Sequence, residues 1–170
     1  LQPSSQSAYF LYKLNAARGN FDEAVKYISE ALTYPEISVE TAADYNYEAA
    51  TFCVKNGKNA KALEFANKSM ELADSYKGKA YFLIGTIWGA TTCGGDEISR
   101  RAPYWVAYDY MAKAKEADPS LAEDCNRMMS QYRVYFPQTA EAFMYDLTDG
   151  KPYKVSCNGM TANTTVRTQK

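Results

Sequence analysis

Small and apolar residues recur along this chain at a spacing close to one helical hairpin. Gly19, Phe21, Ala24, Ile28, Ala31 and Leu32 are followed by Gly57, Ala62, Leu63, Ala66 and Ser69, and then by Gly85, Trp88, Ala107, Met111, Ala114 and Pro119. Such a recurrence confines the fold to stacked helix pairs, because one unit cannot bury its apolar face alone and needs its neighbour. Stacks of this kind commonly hold another molecule in a groove, so the repeat points to binding before any chemistry is considered.

Within the first unit Phe10, Leu11 and Leu14 lie at helical spacing, Arg18-Gly19-Asn20 interrupts, and Phe21, Ala24, Val25, Ile28, Ala31 and Leu32 resume. Gly19 suits the left-handed residue that ends a helix, and Ala24 and Ala31 are small where paired backbones approach. Pro35 closes the unit. The second unit runs from Ala43 to Lys55, turns at Asn56-Gly57-Lys58 and returns from Ala60 to Ala73. The distance from Gly19 to Gly57 exceeds the commonest hairpin repeat of about 34 residues, with the excess in the polar link from Glu36 to Glu40.

Of 170 residues 46% are hydrophobic, enough for one continuous core or a row of smaller ones. The formal charge of −1 gives no global field toward a polyanion, which disfavours nucleic acid. The chain has no histidine, so the commonest general base and zinc ligand are missing. Cys53, Cys93, Cys125 and Cys157 are too widely spaced for a paired zinc motif, and no cofactor is implied. The longest apolar stretch, Ala80 to Ala90, is too short to span a membrane. The polar lead after Leu1, in place of Met, suggests a processed chain or a piece of a longer one.

The third unit carries the clearest signature. Ile84-Gly85, Trp88, the series Ala107, Met111 and Ala114, and the closing Asp118-Pro119 resemble the tetratricopeptide repeat family, over roughly residues 5 to 119. The resemblance implies an all-α, right-handed helix-hairpin superhelix, and two departures accompany it. The stretch between Gly85 and Ala107 is longer than the family pattern, so an insertion containing Thr91 to Asp96 is expected to protrude. Asn46 and Cys53 stand where the second unit should have aromatics.

Beyond the repeats, Ser120 and Glu123 form a capping-box pattern for a helix through Met128, Met129 and Tyr132 toward Phe136. Pro137 ends it, and a short helix is expected from Thr139 to Tyr145. The period then changes to two: Tyr153, Val155 and Cys157 lead to Asn158-Gly159, and Met160, Ala162, Thr164 and Val166 return. This predicts a small C-terminal β-hairpin whose apolar face packs on the last helices. The expected domains are 1–136, three helix pairs with a cap, and 137–170, the short helix and hairpin. The tail is similar to those of some bacterial exported repeat proteins, which favours export to the periplasm or cell envelope over a cytoplasmic location.

Mapped on the family pattern, the positions facing a concave groove are Tyr9, Lys13, Ala17, Asp44, Tyr47, Thr51, Lys55, Phe82 and Thr86. Tyr9, Tyr47 and Phe82 would grip an extended peptide while Lys13 and Lys55 meet carboxylates; alternatively the aromatics only fill gaps between helices. The Asn positions of the family's terminal-carboxylate clamp hold Lys13 and Thr51, so that ligand is not supported. Cys93 and Cys157 are expected to be exposed in loops, where a bond between them would staple insertion to tail, while Cys53 and Cys125 serve as small core residues. Gly94-Gly95-Asp96-Glu97 fits no phosphate or calcium loop, and Asn67-Lys68-Ser69 and Asn163-Thr164-Thr165 are chance-level glycosylation triplets.

The expected function is therefore a non-catalytic scaffold or adaptor for a protein or peptide partner, with no integral membrane segment. Its alternatives are a cell-envelope glycan or nutrient-capture module, suited by 15 tyrosines, an enzyme using Cys93 or Tyr and Lys pairs, and self-association through an open repeat end at Leu1.

Overall fold

The computed structural model describes residues 2–169 and shows a mostly helical fold closed by a two-stranded antiparallel hairpin. Two compact units divide it, Leu1–Tyr76 and Lys77–Lys170. The open end at Leu1, considered for self-association, lies outside the described residues.

The first unit is two helix hairpins, α1 (Ser5–Ala17) with α2 (Phe21–Ala31) and α3 (Val39–Lys55) with α4 (Asn59–Leu72). Ser4 and Ser38 cap α1 and α3 by accepting the backbone N–H of Ser7 and Thr41. Gly19 and Gly57 end α1 and α3 with φ of 75° and 72°. At both turns the next amide reaches back to a carbonyl, Asn20 N to Asn15 O and Lys58 N to Cys53 O, each 2.9 Å. Close helix contact is built from small residues: Ala24, Ala31, Ala43, Ala62 and Ala66 are all fully buried. The Ser5 hydroxyl donates to Ala31 O at 2.9 Å and the Ser69 hydroxyl to Ala43 O at 2.8 Å, contacts a larger side chain would prevent.

On α1 the buried face is Ser5, Ala8 and Tyr12. Phe10, expected on the apolar side with Leu11 and Leu14, is exposed. Periodicity alone misplaced this face because the large buried side chain is Tyr12, whose ring meets Phe52 of α3 edge-on with centres 5.6 Å apart.

The second unit opens with α5 (Lys77–Gly89) and α6 (Glu97–Ala117). A Cβ on Gly85 would lie 2.9 Å from Met111 Cε and 3.3 Å from Ala107 O, so the absence of a side chain sets how closely α5 and α6 approach. The insertion protrudes only at its tip, where Gly94, Gly95 and Asp96 are exposed. It extends α6 back to Glu97, capped by Asp96 accepting the Ser99 amide at 2.8 Å, and Thr91 and Cys93 of the remaining loop are buried.

Next come α7 (Ala122–Arg133) and α8 (Thr139–Phe143). Ser120 is not the cap of α7. It lies in a 3-10 turn, Pro119–Leu121, where Asp118 accepts both its amide and its hydroxyl, and Leu121 precedes α7 without a side-chain cap. Pro119 at the first position of that turn let the nearer Asp118 take the capping role.

The hairpin consists of β1 (Pro152–Cys157) and β2 (Met160–Thr165), with Cys157 opposite Met160 and Val155 opposite Ala162. Asn158 and Gly159, at φ of 54° and 76°, form the tight turn whose twist matches paired strands. Val155, Met160, Thr164 and Val166 are buried. The hairpin packs on α6: Trp105 meets Tyr153 edge-on with ring centres 5.2 Å apart, and its indole N–H donates to Arg167 O at 2.8 Å. Asp109 on α6 accepts from Arg167 Nη2 at 2.6 Å and from the Thr164 hydroxyl.

Candidate binding surfaces

The expected groove residues divide between the units. Tyr9 and Lys13 lie on α1, and Asp44, Tyr47, Thr51 and Lys55 on α3; Phe82 and Thr86 lie on α5.

In the first unit Tyr9 and Lys13 converge on one carboxylate. Glu48 Oε1 accepts from the Tyr9 hydroxyl at 3.0 Å and from Lys13 Nζ at 2.6 Å. Tyr9 also stacks on Tyr45, ring centres 4.4 Å apart and nearly parallel. Burial, reinforced by Glu48, raises the Tyr9 pKa; the bonds to Glu48 and Tyr9 raise that of Lys13. This pair ties α1 to α3, the gap-filling role weighed for the aromatics. Asp44 accepts the Tyr76 hydroxyl at 3.0 Å, and Tyr47 is half-buried with its pKa raised by burial. The Thr51 hydroxyl bonds back to Glu48 O at 2.8 Å, and Lys55 is exposed.

In the second unit Phe82 is half-buried, and Thr86 lines an open cleft of about 500 Å³. Its remaining walls are Gly89 on α5 and Ala90 just after it, Tyr104 on α6, and Met128, Gln131, Tyr132, Val134 and Tyr135 on and after α7. Each wall has a local cause. A Cβ on Gly89 would sit 2.5 Å from the Tyr132 ring, so glycine lets that ring lie on α5. Tyr135, half of it exposed, stacks on Tyr104 with centres 4.2 Å apart. Val134 stands 70% exposed at the rim, next to the half-exposed Tyr135. Burial pushes the Tyr132 hydroxyl up to about 12.

The Tyr104–Tyr135 pair escaped sequence reasoning because no spacing marks it; Glu48 escaped because it reads as an ordinary helix-surface charge.

Cys93 and Cys157 form a disulfide with Cα atoms 5.8 Å apart, joining the α5–α6 loop to the hairpin turn. Cys93 is buried and not exposed in a loop as expected, and Cys157 is half-buried; Cys53 and Cys125 are free and fully buried. Among the described residues no group of His, Cys, Asp or Glu could hold a metal ion, and no helix is long and apolar enough to cross a membrane.

No family model matches the chain, and no curated protein is significantly similar to it.

Proposed function

We propose that the protein is a non-catalytic binding scaffold that captures a segment of another protein, and that the cleft around Thr86 is where an apolar side chain of that segment enters. The observation that carries this reading is the combination of a largely apolar cleft with a preformed aromatic wall, Tyr104 on Tyr135, and an exposed Val134 at its rim. Rigid aromatic rings give contact area at low entropic cost, and a pocket of this size accepts one large side chain. The helix-pair repeat and its resemblance to the tetratricopeptide family agree with such a role. The disulfide favours an oxidising compartment, hence an exported protein.

Glycan or nutrient capture is the second reading, because the half-exposed Tyr135 ring lies beside Gln131 in the same cleft, a pairing that also suits a sugar face. Selection from a displayed random-peptide library, run in parallel with a glycan array, separates the two. Peptide capture predicts a convergent motif with a large apolar residue that Tyr135→Asp abolishes while helicity is preserved. Signals on the array with no enriched peptide would transfer the cleft to glycans.

A further inference from the structure

A second cleft, of about 600 Å³, opens at the same end of α7 but has a different chemistry; Tyr108, Arg133, Phe136, Asp149, Arg167 and Thr168 are among its walls. Two guanidinium groups gather on one ring there. Arg167 Cζ lies 4.6 Å and Arg133 Cζ 5.6 Å from the centre of Tyr108, and Arg133 Nη2 donates to the Tyr108 hydroxyl at 3.0 Å.

The nearby carboxylates are already engaged. Asp109 holds Arg167 at 2.6 Å and accepts the Thr164 hydroxyl, while Asp149 accepts both the amide and the hydroxyl of Thr168 at 2.7 Å. Arg133 pairs with no carboxylate among the described residues; its bond goes to a neutral phenol. A guanidinium has five N–H donors. Arg167 places one on Asp109, and its Nε is buried with no acceptor. Arg133 ties α7 to α6 through Tyr108 with one donor, and among the described residues its remaining donors meet no acceptor.

We propose that this cleft binds a carboxylate, with Arg133 supplying the planar fork and Arg167, oriented by Asp109, the second positive charge. Guanidinium and carboxylate match in plane and donor spacing. Asp149 in the same wall repels additional negative charge, which favours a monoanionic carboxylate over a phosphate dianion. This site does not depend on the apolar cleft around Thr86.

The test is titration of the full chain with N-acetylglycine and, separately, with inorganic phosphate, following the arginine Nε–Hε resonances. The expected result is a saturable shift of the Arg133 and Arg167 signals with N-acetylglycine and weaker binding of phosphate. Arg133→Gln, at an exposed position, should weaken N-acetylglycine binding about tenfold or more, the weight of a charge-assisted hydrogen bond, with an unchanged far-ultraviolet circular dichroism spectrum. Absence of a saturable shift, or equal affinity in Arg133→Gln, would overturn the site. Phosphate binding as tightly as N-acetylglycine would overturn the choice of carboxylate.

Discussion

At Gly85 a hydrogen stands where a Cβ would press on Met111 Cε and Ala107 O, at 2.9 and 3.3 Å. Gly85→Ala should therefore cost about 1–3 kcal/mol through overpacking, whereas Gly94→Ala, with nothing within 4 Å, should stay within about 0.5 kcal/mol of the parent. Urea unfolding of the two variants checks the contrast. Tyr132 offers a pH test on the neighbouring contact. Its hydroxyl pKa rises from 10.0 to about 12 on burial, so the unfolded chain ionises first. Its contribution is complete below pH 10 and is lost as pH rises toward 12. Denaturation midpoints measured across that interval should fall less steeply in Tyr132→Phe; an identical slope would contradict the assignment. Seam glycines and alanines were legible as residues because smallness has one use at a helix crossing. Phe10 and Glu48 were not, since each depends on what the facing helix places opposite it.

The hairpin is the element that local chemistry specified most completely. Asn-Gly in the required left-handed conformations and strict alternation on both sides place every strand residue on its face before any tertiary contact forms. Its docking partner was less legible. It packs on α6 through Trp105, Asp109 and the disulfide to the preceding loop, contacts between residues far apart in sequence. Removing the covalent link by Cys157→Ser should lower stability by about 2–4 kcal/mol, as expected for a long closed loop, with the α6 contacts retaining the hairpin in place. Calorimetry together with strand-amide exchange would register both parts; an unchanged melting temperature would contradict the first. The insertion illustrates the opposite case. Surplus residues in a hairpin connection read as a loop, but Asp96 and Glu97 began a helix earlier and the surplus became an additional length of α6.

For the molecule as a whole, the repeat specified helix pairs because packing positions are what it repeats. A ligand was not legible by the same route. The cleft around Thr86 draws its wall from α5, α6 and the residues following α7, so its shape exists only once those helices have packed. In the first unit Tyr9 and Lys13, expected to grip a ligand, are both bonded to Glu48. Amide hydrogen exchange of the full chain, with and without a peptide selected on it, tests this placement most directly. Binding at the cleft predicts protection concentrated at Thr86–Ala90 and Met128–Tyr135, with α2 unaffected. Protection confined to α1 and α3, leaving those segments unchanged, would contradict it.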